Sequence, residues 1–157
     1  MYNKPVKVNF TKNFQKVFSI NCISKIPVPP FKETTSVKEL KVSSALLSSF
    51  YKRATTIDAA IILLAGYYNE PYRLFPVVFE ISGYGGDYHS YSGIQLDSFP
   101  CIAVFLDGNC LTGHSTYDNS MNNEPWGDAL VTEMTPFLEK KLRCNDARFL
   151  TGHSSGG

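Results

Sequence analysis

The segment Thr151-Gly-His-Ser-Ser-Gly-Gly157 contains Gly152-x-Ser154-x-Gly156. A serine hydroxyl can act as an acyl-transfer nucleophile when a sharp strand-to-helix turn holds it at its tip in a strained backbone conformation. Glycines two residues to either side suit such a turn, because strand and helix pack there too closely for a Cβ. Ala147-Arg-Phe-Leu-Thr151 is a short strand-like run leading straight into the motif, the context that the pattern requires. Ser154 is therefore the candidate nucleophile, weighed against a chance glycine-serine turn.

Attack on an acyl carbon needs two N–H donors for the oxyanion, a general base and a carboxylate that orients the base. One donor of a strand-elbow architecture is the N–H of the residue after the nucleophile, here Ser155; the other comes from the loop after an earlier buried strand. Gly83-Tyr-Gly-Gly86 follows such a run, and its glycines let backbone N–H groups converge. Tyr84 or Gly85 is the second candidate donor. Alone, this glycine cluster would be a plain turn.

The base is harder to find. The histidines are His89, His114 and His153. His153 lies inside the motif, and its side chain is expected to point away from the serine. In this architecture the triad runs serine, acid, histidine, so His89 and His114 stand in the wrong order and read as exposed or pocket-lining residues. The expectation is an incomplete chain that lacks the triad Asp and His and is inactive by itself. Cys22, Cys101, Cys110 and Cys144 include no C-x-x-C pair, and no histidine stands near them at zinc-ligand spacing. No metal and no cofactor are expected.

The elements that would position these residues form an alternation. Residues 5–10 and 16–23 alternate apolar and polar residues as half-buried strands do. Prolines at 27, 29 and 30 break the pattern, and the polar residues 31–41 read as a linker. Residues 43–50 suggest a helical turn or two. Strands are expected over 55–64, 74–82, 99–106 and 147–151, with Val77 to Phe79 apolar enough for a central strand covered on both faces. Residues 109–126 form a long polar loop. Residues 127–142 place Leu130, Met134, Phe137 or Leu138 and Leu142 on one helical face, with Asp128 in the first turn, Lys140 and Lys141 in the last, and Pro136 as an internal kink. This order predicts an α/β fold with a mostly parallel sheet and crossover helices.

The chain is 43% hydrophobic and 13% aromatic, as a packed core demands, and its net charge of +1 with no basic run argues against nucleic acid. No apolar stretch is long enough to span a bilayer. The N-terminus lacks the apolar core of a signal peptide, which by default points to the cytoplasm. Oligomeric state is not legible.

Leu47-Ser-Ser-Phe-Tyr-Lys-Arg53, Ala60-Ile-Ile-Leu-Leu-Ala-Gly-Tyr67, Phe75-Pro-Val-Val-Phe-Glu-Ile-Ser-Gly-Tyr-Gly-Gly86, the segment from Asp118 through Pro125-Trp-Gly-Asp-Ala-Leu130 to Pro136, and the glycine-serine turn together resemble the N-terminal part of an esterase family of α/β-hydrolases. That family is similar to S-formylglutathione hydrolase (esterase D), enterochelin esterase and feruloyl esterases. The resemblance covers residues 43–157, leaving 1–42 as a β-rich segment and linker. It implies a serine-dependent carboxylic ester hydrolase, with Ser154 as nucleophile, Tyr84 and Ser155 at oxyanion positions, and Asn122, Asn123 and Trp126 in a loop that touches substrate. The implied substrate is a small-molecule or glycan-linked ester. The family often has His-Gly where this chain has Ser82-Gly83. An acyltransferase or serine peptidase on the same fold, and a non-catalytic binding remnant, are the alternatives.

Overall fold

A computed structural model describes residues 29–63, 66–93, 99–122 and 124–157. The strands expected over 5–10 and 16–23 lie outside the described residues, as does Cys22. The chain divides into two compact units, Met1–Phe31 and Lys32–Gly157; the second carries everything that follows.

Its strands are β1 (Val37–Ser43), β2 (Thr56–Ile62), β3 (Phe75–Ile81), β4 (Ile102–Leu106), the short β5 (Asn109–Cys110), β6 (Gly113–His114), β7 (Asn119–Ser120) and β8 (Glu124–Pro125), and the long β9 (Cys144–Gly152). Five form one sheet in the order β1-β2-β4-β3-β9. β1 with β2 and β2 with β4 are antiparallel, whereas β3 is parallel to both β4 and β9. The sheet is thus mixed and not mostly parallel, because β2 runs against its neighbours. Nor do helices make every crossover: among the described residues, the β3–β4 connection holds only the 3-10 turn Tyr88–Gly93. Each short pair, β5 with β6 and β7 with β8, forms an antiparallel ladder inside what the sequence suggested was one long polar loop.

Residues 37–43 are a strand, not a linker, and among the described residues they form one edge of the sheet. Val37 and Val42 are buried, while Lys38, Glu39 and Lys41 charge the rim, a common guard against edge-to-edge pairing. Ser44 then caps α1 (Ala45–Tyr51), its Oγ accepting the Leu47 N–H at 3.0 Å. Glu133 completes the cap from another element: its Oε1 accepts the N–H groups of Ala45 at 2.9 Å and Leu46 at 3.1 Å.

β4 is buried at every position, so the strand covered on both faces is β4; β3 instead alternates, burying Phe75, Val77, Phe79 and Ile81. These four pack with Ile57, Ala59 and Ile61 of β2 and with Leu130, Met134 and Leu138. Each such large apolar side chain contributes about 1.5–3 kcal/mol by leaving water.

The helical stretch runs as α2 (Trp126–Ala129), a π-helical segment Leu130–Met134, and α3 (Thr135–Lys141). Asn119 anchors its start, accepting the Asp128 N–H at 3.0 Å and donating to Asp128 Oδ1 at 2.8 Å. Pro136 falls in the first turn of α3, just after the π segment. There Leu130 O accepts both the N–H and the Oγ1 hydroxyl of Thr135, five residues on. The break that proline imposes is absorbed as a wider turn. Arg143 then ties the helix exit to the 66–70 turn: its guanidinium lies 3.9 Å from the Tyr67 ring centroid and donates to Tyr67 O.

Candidate active site

β9 ends at Gly152, His153 stays extended, and Ser154–Gly156 closes into a 3-10 turn. Gly156 N–H donates to His153 O at 2.9 Å and Gly157 N–H to Ser154 O at 3.2 Å. Ser154 has φ +56°. A non-glycine residue held there costs about 1–3 kcal/mol, strain that surrounding structure must hold in place. The surroundings do so by leaving no slack. A Cβ on Gly152 would overlap the Gly156 carbonyl, and a Cβ on Gly156 would overlap Ile81 O and stand 2.6 Å from Ser82 O. Both glycines of the motif are therefore steric requirements.

The Gly83 turn lies directly against this bend. Gly86 N–H donates to Gly83 O at 2.9 Å, closing a β-turn. Gly85, third in the turn, has φ +77°, as a type II turn demands. A Cβ there would meet nothing within 4 Å, so backbone conformation and not space asks for glycine. Ser82 Oγ donates to Gly86 O at 2.9 Å and braces the turn from below. A Cβ on Gly83 would stand 3.2 Å from His153 Nδ1, His153 O and Ser154 Cβ.

Between turn and bend opens a cleft of about 370 Å³, lined by Glu80, Ser82, Gly83, Tyr84, Gly86, His153 and Ser154. Ser154 is exposed in it. Of the expected oxyanion residues, Tyr84 lines the cleft, Gly85 sits in the turn beside it, and Ser155 follows the serine in the 3-10 turn. The Tyr84 side chain is mostly exposed and leans on Gly113, where a Cβ would stand 3.0 Å from its Cε2.

The other predicted residues fall elsewhere. Asn122 is exposed, and Asn123 lies outside the described residues. Trp126 is buried, its Nε1–H donating to Glu124 Oε2 at 2.7 Å, and Glu124 itself is only 2% exposed. Neither Asn122 nor Trp126 borders the Ser154 cleft; Trp126 borders a separate cavity of about 290 Å³ with Tyr51, Arg53 and Asn109. The Tyr51 hydroxyl beside Glu124 is pushed up to about 12, first by burial and then by that carboxylate.

His114 is buried, its Nδ1 accepting the Thr116 N–H at 3.1 Å. His89 Nδ1 lies 3.4 Å from Asp87 Oδ2. Neither lines the cleft. His153, expected to point away from the serine, lines the same cleft as Ser154. The reason is register: Val78 pairs with Phe149 and Glu80 with Thr151, and alternation carries His153 to that same sheet face. Glu80 was missed by sequence reasoning. Its signal was a lone carboxylate in an otherwise apolar run. Burial pushes the Glu80 carboxyl above the usual range, and the nearby His153 charge pulls it partly back. Among the described residues no group of His, Cys, Asp and Glu could hold a metal ion. Nor is any described helix long and apolar enough to cross a membrane.

No protein-family model matches the chain, and no curated protein does. Solved structures do. A ferulic acid esterase is 16% identical with a TM-score of 0.60, matching 77% of this chain and 50% of its own. The S-formylglutathione hydrolase of Agrobacterium tumefaciens is 15% identical with a TM-score of 0.59, over 77% of this chain and 50% of its own. A ferulic acid esterase of Anaeromyces mucronatus, solved with ferulic acid, is 18% identical with a TM-score of 0.57, over 80% of this chain and 53% of its own. The sheet and its connections are the α/β-hydrolase-like fold of these esterases, in agreement with the resemblance that the sequence carries. The chain spans about half the length of the structures it matches.

Proposed function

We propose that the chain belongs to a serine-dependent carboxylic ester hydrolase in which Ser154, its hydroxyl proton passing to a base, attacks the acyl carbon, the acyl C–O bond breaks to release the alcohol, and Ser154 carries the acyl group. The observation that supports this most is the left-handed Ser154, held between two glycines that have no room for a Cβ, facing the Gly83 turn across an open cleft. Backbone N–H groups of Ser155 and of Tyr84 or Gly85 then stabilise the tetrahedral oxyanion, and water releases the acid. Ferulic acid esterases among the structural neighbours favour a small-molecule or glycan-linked ester as substrate. The reading requires a base and an orienting carboxylate. Neither His89 nor His114 lines the cleft; His153 and Glu80 do, but neither is hydrogen-bonded to Ser154 or to the other, so in this reading the base and its carboxylate are other groups.

The test is labelling of Ser154 by a fluorophosphonate, read by mass spectrometry of the modified peptide. Adduct on Ser154 that disappears in Ser154→Ala supports the reading. Adduct that persists in that variant, or none in the unmodified protein, overturns it.

A further inference from the structure

Glu39, on β1, lies across the sheet from the Gly83 turn. Its register partner is Ala60 on β2, which pairs with Phe105 on β4, which pairs with Glu80 on β3. That row covers three strand spacings, about 14 Å. The segment after the turn closes this distance. Its 3-10 turn Tyr88–Gly93 packs on β2 and β4, with the Tyr91 ring centroid 6.4 Å from that of Phe105. Tyr88 is buried, and its hydroxyl donates to Glu39 Oε1 at 2.7 Å. Such a length is usual for a hydroxyl bonded to an ionised carboxylate, an interaction about twice as strong as its neutral counterpart. The Glu39 carboxyl is held below its ordinary range, first by the Tyr88 hydroxyl; burial opposes this and Lys41 adds to it.

Only Asp87 stands between Tyr88 and the end of the turn at Gly86, and its side chain is engaged. Asp87 Oδ1 accepts the His89 N–H at 2.9 Å, and Oδ2 lies 3.4 Å from His89 Nδ1. Gly86 in turn accepts from Ser82 Oγ and donates to Gly83 O, both at 2.9 Å. The turn is thus tied to β3 at its entry through Ser82 and to β1 beyond its exit through Tyr88.

We propose that Tyr88 is a positioning residue: its hydrogen bond to Glu39 fastens the exit of the Gly83 turn to β1 and so holds the backbone N–H groups of Tyr84 and Gly85 in place. With that anchor lost, rotation about the Asp87 backbone lets the turn open from its exit. The consequence for an oxyanion rests on the reading of Ser154 as nucleophile; the fastening does not.

Two measurements test it. In the first, hydrogen exchange of the Gly86 amide is followed by NMR, since it reports local opening of the turn. Tyr88→Phe keeps the buried ring and removes the hydroxyl. Gly86 exchange then accelerates roughly tenfold, as the loss of one hydrogen bond to a charged group implies, while the amides of β4 keep their rate. Glu39→Leu has the same effect from the other partner, and Glu39→Gln, which keeps an acceptor, retains most of the protection. Unchanged Gly86 exchange in Tyr88→Phe and Glu39→Leu overturns the proposal. Equal acceleration in β4 also overturns it, because the bond would then be a general stabiliser. In the second, fluorophosphonate labelling of Ser154 is timed in the same forms. Tyr88→Phe slows it about tenfold, and Glu39→Gln much less; equal rates in all forms overturn the positioning role. If no form is labelled, the nucleophile assignment fails and the exchange rates still decide the fastening.

Discussion

Gly156 and Ser82 approach so closely that a Cβ on Gly156 would lie 2.6 Å from the Ser82 carbonyl oxygen. The bend that carries Ser154 is thus wedged against the end of β3. Gly156→Ala forces the two backbones apart, and the strained φ at Ser154 loses its support. We expect fluorophosphonate labelling of Ser154 to fall at least about tenfold in this variant, since a displacement of about 1 Å can cost far more. Labelling at the original rate would show that the contact is not needed.

Gly85 gives a contrasting case, for the space around it is empty and only its φ of +77° is demanding. Valine cannot adopt that conformation without strain, whereas asparagine tolerates it. If the turn supplies an oxyanion donor, Gly85→Val slows phosphonylation of Ser154 by about 10²–10³, the usual cost of one lost donor, and Gly85→Asn costs much less. Equal rates for the two variants would make Gly83 to Gly86 a plain turn.

The cap that Glu133 places over α1 predicts a stability effect far from the cleft. Its Oε1 serves two N–H groups at the start of a seven-residue helix. Glu133→Ala is expected to cost about 1–2 kcal/mol, the value of hydrogen bonds to a charged group at a helix N-terminus. Urea denaturation measures it, and a midpoint equal to that of the unmodified chain would refute the cap.

Cys144, at the start of β9, has its thiol pushed up to about 11, mainly by burial and secondarily by the Glu139 carboxylate. The thiolate is the reactive form. At pH 8 it is about one part in a thousand, so alkylation of Cys144 by iodoacetamide should be slow and rise about tenfold per pH unit up to pH 10. A rate that levels off near pH 9 would contradict the burial.

The strands β2, β3 and β4 were legible because each is a mostly apolar run, interrupted only by Thr56 and Asp58 in β2 and by Glu80 in β3. So was the helical stretch, because Leu130, Met134 and Leu138 recur at helical spacing. β1 was not: Lys38, Glu39 and Lys41 give it the composition of a linker, and its order comes from seven paired residues on β2. The antiparallel sense of β2 was equally hidden, since strand direction in a sheet is decided by long-range pairing. At the site, the glycine spacing around Ser154 announced a tight bend because the demand for glycine is local. That Glu80 and His153 line one cleft with Ser154 could not be read the same way, as it depends on the register of β3 against β9.

The π-helical segment has a geometric consequence for the face that it serves. Leu130, Met134 and Leu138 are spaced four apart. On a regular α-helix each step of four overshoots a full turn by about 40°, so Leu130 and Leu138 would diverge by about 80°. A π turn takes about 4.4 residues, and a step of four through it falls about 33° short. One overshoot is thereby cancelled, and all three side chains reach the same core. The wide turn acts as a phase correction, equivalent to one inserted residue. Deleting a single residue from it, for instance Thr132, would restore a regular α-helix in which Leu130 and Leu138, then seven apart, fall within about 20° of one another and still reach the same core.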